Sequence, residues 1–177
     1  MQYVNYYKSP LGDLLLSNDE QGLTGIWFSG GKYFAKVLSS PYVEQENKIL
    51  AETKKWLDIY FAGKEPDFTP PLHLTGSDFR KRVGQIMCGI PYGRTISYWD
   101  IAKIIAREKG IPKMSAQAVG GAVGHNPISI IIPCHRVVGK NGSLTGYGGG
   151  IDRKIKLLTL EKADINRFFI PAKGTAL

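Results

Sequence analysis

Cysteine is scarce in this 177-residue chain: Cys88 and Cys134 are the only two. They are too few for a disulfide framework, and with His73, His125 and His135 scattered as they are, they cannot build a cysteine-rich zinc site. Long apolar runs are missing as well. No segment approaches the ~20 residues needed to cross a bilayer, and residues 1–9 lack the basic start and apolar stretch of a secretion signal. There is no internal repeat and, one glycine-rich stretch aside, no low-complexity tract. These absences predict a soluble, cytoplasmic protein with reduced thiols and no metal. What is present, 43% hydrophobic and 11% aromatic residues, can build one large domain or two small ones.

The formal charge of +8 is unevenly placed. Residues 1–76 hold seven Lys and nine acids, a balance of −2; residues 77–161 hold thirteen Lys or Arg and five acids, a balance of +8; residues 162–177 add +2. A basic second half beside a slightly acidic first points to a polyanion surface on the former, with nucleic acid foremost. Solvated charge that serves only solubility is the plainer reading.

The chain organises into two parts. Residues 3–8, 14–17 and 23–28 are β-branched or aromatic runs separated by turn compositions, which predicts an antiparallel meander. Leu50, Leu57 and Phe61 recur at helical spacing with Trp56 and Tyr60 beside them, and Gly63 is placed to end that helix. A proline-rich stretch, residues 66–71, marks the boundary region. Beyond it, Thr75 or Ser77 can cap a helix striped with Phe79, Val83, Ile86, Met87 and Ile90. Ser97 and Asp100 form a capping-box signature for a helix carrying Ile101, Ala102, Ile104 and Ile105. After a break at Gly110-Ile111-Pro112, Ser115 can cap a short helix of Ala, Gly and Val whose single long polar side chain is Gln117. Two capped helices around a Gly/Pro break, in the basic half, resemble a helix-turn-helix. Gly120 and Gly121 each cost that helix about 1 kcal/mol relative to Ala, which close approach of another backbone would offset. That backbone could belong to the protein's own interior or to nucleic acid, and the two can hold on opposite faces. Residues 128–132 read as a buried strand delivering the chain to Pro133-Cys134-His135-Arg136. Residues 139–150 read as a loop, and Ile151, Ile155 and Leu158 mark a last helix that brings Glu161 with it.

A cysteine is a nucleophile only as thiolate, so its value near ~8.5 must be lowered by a base, cation or dipole. His135 is adjacent, Glu161 could orient it, and Arg136 adds positive potential. On a Cys-His pair alone, a small buried cysteine beside a satisfied histidine is the commoner situation. By the same habit Cys88 reads as structural, and Trp27, Trp56 and Trp99 read as core or partly buried anchors. His73 and His125 have no partners at ligand spacing.

The longer string changes this balance. Ile132-Pro133-Cys134-His135-Arg136-Val137-Val138 follows Gly120-Gly121-Ala122 and Asn126-Pro127. It precedes Gly146-Tyr147 and Leu157-Leu158-Thr159-Leu160-Glu161. Together with Phe79-Arg80, Ile90-Pro91-Tyr92-Gly93 and Thr95-Ile96-Ser97-Tyr98, it resembles the O6-alkylguanine-DNA alkyltransferases over residues 76–161. The resemblance implies an α+β fold. Residues 1–75 would form a small RNase H-like domain with an antiparallel sheet, and residues 76–177 a mostly helical, winged-helix-like domain with the helix-turn-helix and the active site. It implies a monomer that acts on double-stranded DNA containing O6-alkylguanine, with no cofactor and no membrane. Cys134 would take the alkyl group once and irreversibly. His135 would act through water as base, Glu161 would polarise it, Tyr98 would support protonation of the guanine, and Asn126 would order the local backbone. Tyr147, Gly148 and Gly149 would line the alkyl pocket. Base flipping would use Gln117, where the family typically has an arginine, with Ser115, Ala118, Gly121 and Arg136 contacting DNA. Two other classes fit parts of the pattern: a lesion-binding module without transfer, which the presence of Cys134 argues against, and a thiol hydrolase, which the basic second half argues against.

Overall fold

The computed structural model describes residues 1–32, 34–36, 38 and 41–172, so residues 173–177 of the expected second domain lie outside the described ones. The chain divides into two compact units. One comprises residues 1–75 and 127–131; the other comprises residues 76–126 and the chain from residue 132 onward. The fold is α+β.

In the first unit, β1 (Gln2–Ser9), β2 (Gly12–Asn18) and β3 (Leu23–Phe28) form the expected antiparallel meander. A short strand that the sequence did not reveal, β4 (Tyr42–Glu44), pairs parallel with β1, giving the order β3-β2-β1-β4. On β1 Val4 is buried while Tyr6, two residues on along the same face, is exposed; every residue of β3 is buried. The pleat explains Gly25, which shares a face with Trp27: a β-carbon there would lie 1.8 Å from the indole of Trp27, so the bare backbone leaves room for the ring. Ser17 and Thr24 satisfy each other in the interior at 2.8 Å.

Helix α1 (Lys48–Phe61) is capped by Asn47, whose side chain accepts from the Leu50 N–H. It buries Leu50, Thr53, Trp56, Leu57 and Tyr60, one face at 3–4 residue spacing. Gly63, at φ 75°, closes it: the N–H of Lys64 reaches the Ile59 carbonyl and that of Gly63 the Tyr60 carbonyl, a Schellman motif. His73, which has no partner at metal-ligand spacing along the chain, is held by Asp19 at 2.6 Å. Burial works to raise the Asp19 carboxyl, but bonds from His73 and from the N–H groups of Gln21 and Gly22 hold it below its ordinary value.

The second unit begins with α2 (Asp78–Cys88), capped by Ser77. Helix α3 (Tyr98–Glu108) is capped by Ser97, whose hydroxyl accepts from the Asp100 N–H and also bonds the Asp100 carboxylate. Helix α4 (Ala116–Gly124) is capped by Ser115 and packs against both α2 and α3. The strand β5 (Ile96–Ser97) pairs parallel with β6 (Val137–Val138), which sets Tyr98 beside the segment that follows Pro133. Helix α5 (Ile151–Leu160) completes the unit. Among the described residues no helix is long and apolar enough to cross a membrane.

Three expectations are corrected. The four isoleucines of residues 128–132 are buried but form no strand; only Ile128 makes a bridge, to Ile26. The chain instead makes two γ-turns in succession. Ile130 sits at φ 72° with the Ile131 N–H bonded to the Ser129 carbonyl, and Pro133 sits at φ −81°, ψ 65° with the Cys134 N–H bonded to the Ile132 carbonyl. Second, Trp99 is 56% exposed, covered by the Lys103 ammonium 3.2 Å from the ring centre. Third, Cys88 lies exposed at the end of α2, so burial does not account for it.

Candidate active site

Cys134 is delivered at the start of a 3₁₀ turn, Cys134–Arg136, and retains 6% exposure. The preceding γ-turns make its approach angle a property of the backbone, because Pro133 can rotate little about φ. Asn126 fixes the ends of this excursion: its side-chain N–H donates to the Ile132 carbonyl at 2.9 Å, and its side chain also hydrogen-bonds the Cys134 thiol. Burial pushes that thiol up. Asn126, the charge of Lys154 and the backbone N–H groups of Cys134 and His135 pull it down, without reversing the net direction. At rest the sulfur is a protonated thiol.

His135 and Glu161 are both fully buried, joined at 2.6 Å between Nε2 and Oε1. Burial lowers the imidazole first, Arg136 and Lys154 lower it further, and Glu161 opposes them, leaving His135 below its ordinary value and neutral. A neutral ring whose Nε2–H points at Glu161 carries its lone pair on Nδ1, the tautomer a base needs. Glu161 is the C-cap of α5, and Lys162 at φ 58° closes the helix behind it: the Lys162 N–H donates to the Thr159 carbonyl and the Ala163 N–H to the Leu158 carbonyl.

Arg136, expected on the DNA surface, is interior. Its Nε and Nη2 hold both oxygens of Glu161 at 2.8 and 3.0 Å, and its Nη1 donates to the Ile90 carbonyl at 2.6 Å. Planar guanidinium and planar carboxylate match as a fork, and that match draws the side chain inward. Against the upward push of burial, His135 and Arg136 together hold the Glu161 carboxyl at about 2. Glu161 also accepts from the Gly93 N–H at 3.1 Å. Gly93 has φ 70°, and a β-carbon there would stand 2.7 Å from the Glu161 carbonyl oxygen. Gly93→Ala is therefore expected to cost about 2–3 kcal/mol from left-handed backbone strain and this close approach together. Urea denaturation measures it; a loss within roughly 0.5 kcal/mol, the range of neutral surface changes, would mean that the turn relaxes freely.

Tyr98, at the start of α3, and the loop before α5 belong to the same region. The Tyr98 hydroxyl donates to the carbonyls of Thr145 and Gly146 at 3.0 and 3.3 Å. Burial, then the charge of Cys134, pushes this hydroxyl up, so it keeps its proton. Tyr147 is buried with its ring edge-on to His135, 6.4 Å between centres. Gly148 and Gly149 are half-buried beside it, and the Gly149 carbonyl is tied to Arg153 at 3.0 Å. The loop is strapped from the C-terminal side: Leu144 donates to the Phe169 carbonyl, Phe169 donates to the Gly142 carbonyl, and Ile165 and Phe168 pack on the cluster of Val138, Leu144 and Leu158.

On α4, Ser115, Gln117 and Ala118 are exposed and Gly121 half-buried, opposite the buried Val119, Gly120, Ala122 and Val123. A β-carbon on Gly121 would meet no heavy atom within 4 Å. Internal packing does not require glycine there. Among the described residues no group of His, Cys, Asp or Glu could hold a metal ion.

The family described as "6-O-methylguanine DNA methyltransferase, ribonuclease-like domain" matches residues 2–74, and "6-O-methylguanine DNA methyltransferase, DNA binding domain" matches residues 78–163. A methylated-DNA–protein-cysteine methyltransferase of Methanosarcina acetivorans is 45% identical over 90% of this chain and 97% of its own. The chain belongs to the methylated-DNA–protein-cysteine methyltransferase family. A relative of the same name from Mycobacterium bovis is 55% identical over 88% of this chain and 89% of its own. The crystal structure of Mycobacterium tuberculosis OGT in complex with DNA superposes with TM-score 0.77 at 40% identity, covering 96% of each chain.

Lys154 is the site residue that sequence reasoning missed. It is wholly buried, and its ammonium donates to the carbonyls of Val137 at 2.6 Å and Thr145 at 2.9 Å. A signal was there: Lys154 occupies the apolar stripe of α5, three and four residues from the buried Leu157 and Leu158.

Proposed function

We propose that this chain repairs DNA by direct reversal, turning O6-alkylguanine out of the duplex and moving the alkyl group irreversibly to Cys134. The observation that carries this reading is the buried Cys134-His135-Glu161 arrangement within a segment that matches a DNA-binding family domain. Residues 76–126 and 132–172 form the transfer domain, and residues 1–75 with 127–131 the ribonuclease-like one. The cytoplasm, which keeps Cys134 reduced, is the compartment this chemistry needs.

The steps balance as follows. His135, held in the Nε2–H tautomer by Glu161, takes the thiol proton through a water. The thiolate attacks the alkyl carbon, a C–S bond forms, and the C–O6 bond breaks with its electron pair passing to the guanine. Tyr98 donates a hydrogen bond toward the departing base, the guanine anion takes up one proton, which balances the one His135 received from the thiol and gives back, and sulfur ends as a thioether. A thioether does not return to a thiol by hydrolysis, so each molecule reacts once. Raising the thiol by burial keeps it unreactive until substrate fills the pocket.

DNA would lie along the exposed face of α4, where Ser115, Ala118 and Gly121 offer little side-chain bulk and Gln117 is the one long group available to fill the gap left by a flipped base. Gln117→Ala is expected to slow transfer several-fold in duplex and little in single strands. Equal slowing in both substrates would remove Gln117 from the flipping step.

The experiment for the whole reading is mass spectrometry of the Cys134 peptide after mixing the protein with a duplex carrying one O6-methylguanine. A gain of one methylene, saturating at one event per chain, is expected. A duplex that binds while the thiol stays unmodified makes the protein a lesion recogniser and ends the proposal.

A further inference from the structure

The loop of residues 139–150 has little regular structure of its own. It holds one 3₁₀ turn, Lys140–Gly142, and its glycines at 142, 146 and 150 take positive φ. Bonds from outside therefore set its course. In the middle, the carbonyls of Thr145 and Gly146 receive the Tyr98 hydroxyl, within the site already described. The two ends are held by residues outside the Cys134-His135-Glu161 constellation. At the near end, residues 165–169 form a strap. The Phe169 carbonyl accepts from the Leu144 N–H at 2.8 Å and the Phe169 N–H donates to the Gly142 carbonyl at 3.2 Å, with Ser143 and Phe169 paired as a parallel bridge. Gly142 is suited to this crossing, because a β-carbon there would lie 2.2 Å from the Arg167 carbonyl oxygen. At the far end the Arg153 guanidinium, in the first turn of α5, donates to the Gly149 carbonyl at 3.0 Å.

The strap is held by backbone bonds more than by burial. No residue of its 3₁₀ turn, Ile165–Arg167, is buried, and the Phe169 side chain is 50% exposed. Ile165 and Phe168 are half-buried, packed on Val138, Leu144 and Leu158. An element with so little buried apolar surface can open locally without unfolding the chain. Between the two ties lies Tyr147, buried, with its ring edge-on to His135. Tyr98, which holds Thr145 and Gly146, feels the charge of the Cys134 sulfur, and that sulfur's residue is itself only 6% exposed. The segment between the ties thus lies beside the reacting residues, and a bulky group approaching the sulfur has to shift it.

We propose that Arg153 and the strap of residues 165–169 are positioning elements that set how large a group reaches Cys134. With both ties made, the segment 144–149 admits small groups; with either broken, it yields to larger ones. Discrimination by size is then graded by the strength of two local ties and not by the stability of the whole chain. Taking the admitted group to be the alkyl substituent of guanine rests on the repair reaction proposed above.

The test needs no DNA. In a Cys88→Ser background, Cys134 is alkylated with iodoacetamide and with N-benzyl iodoacetamide, and each rate is read by mass spectrometry of the Cys134 peptide. The two reagents carry the same electrophile, so a change in thiolate fraction alters both rates alike and cancels in their ratio. The ratio of benzyl to unsubstituted rate is expected to rise about fivefold in Arg153→Met and in Phe169→Pro, the equilibrium factor for one lost hydrogen bond. Phe169→Pro removes the N–H that Gly142 receives, and Phe168, at ψ 154°, accepts a following proline. Arg153→Lys, which can still donate to Gly149, and Phe169→Ala, which keeps both backbone bonds, are expected to stay close to the unaltered ratio. An unmoved ratio in Arg153→Met and Phe169→Pro, an equal rise in Phe169→Ala, or acceleration of both reagents by one factor overturns the proposal. Single-turnover transfer from O6-benzylguanine and O6-methylguanine duplexes extends the measurement, and the same two variants are expected to favour the benzyl substrate. A transfer ratio that stays fixed while the thiol ratio moves overturns the extension to guanine. A chain that transfers nothing from either duplex ends the repair reading, while the thiol ratio still decides this one.

Discussion

Replacing Cys134 by serine is expected to leave a protein that still binds duplex DNA and transfers nothing. Serine is nearly isosteric, and the surroundings of position 134 act on the backbone as much as on the sulfur: the γ-turn at Pro133 and the bond from Asn126 to the Ile132 carbonyl remain. The chemistry does not survive the change. A thiol can release its proton to a neutral imidazole, whereas a hydroxyl in the same buried pocket keeps it. The sequence contains one other thiol, Cys88, which is exposed at the end of α2 and remote in sequence from His135 and Glu161. Intact-protein mass spectrometry after incubation with O6-methylguanine duplex, beside fluorescence anisotropy for binding, measures both halves. A methyl group appearing on Cys88 or on the introduced serine at a rate comparable with the unaltered protein would show that the buried constellation is not the reactive one.

Glu161→Gln is expected to destabilise the protein by about 3–5 kcal/mol at neutral pH, because removing one partner of a buried ion pair leaves the other charge uncompensated. Arg136 is that other charge, since both of its bonds to Glu161 meet a carboxylate now replaced by an amide. The sign of the pH dependence follows from the depressed carboxyl, about 2 in the fold against roughly 4.3 in an unfolded chain. Stability from such a group is fully present above the unfolded value and is lost as pH falls toward the folded one, amounting to on the order of 3 kcal/mol. The gap between the two proteins, read from urea midpoints, should therefore be widest at pH 5 and above and should close between about pH 4.3 and 2. A gap that stays constant across that window would place its origin in packing. Transfer should slow as well, since the amide presents no charge to hold the Nε2–H of His135.

What the sequence revealed and what it hid divide along physical lines. Caps were legible because they are local: Ser77, Ser97 and Ser115 each bond an N–H three residues on, and that spacing is written in the chain. The meander and α1 were legible through periodicity. Residues 128–132 were not, because four isoleucines favour a strand, and tertiary bonds from Ile26 to Pro127 and Ser129 override that preference and turn the chain. Arg136 looked like a surface cation because nothing local reveals that Glu161, twenty-five residues on, would draw it inside. Lys154 was hidden by its type: a lysine is read as solvated even where the helix face says otherwise. Trp99 misled in the opposite sense, as an aromatic ring kept outside under the ammonium of Lys103.

The segment 127–131 also bears on how the chain is made. Ile26, in β3, gives its N–H to the Pro127 carbonyl and its carbonyl to the Ser129 N–H. During synthesis, domains generally fold in order from the N-terminus. Here the first unit can assemble its meander and α1 early, yet the outer edge of β3 stays unpaired at Ile26 until residues far along the chain emerge. By then α2, α3 and α4 have already been synthesised. The two units are therefore not successive on the ribosome: the last piece of the first arrives only as the backbone turns toward Cys134, so maturation of the sheet and arrival of the nucleophile are adjacent events in translation.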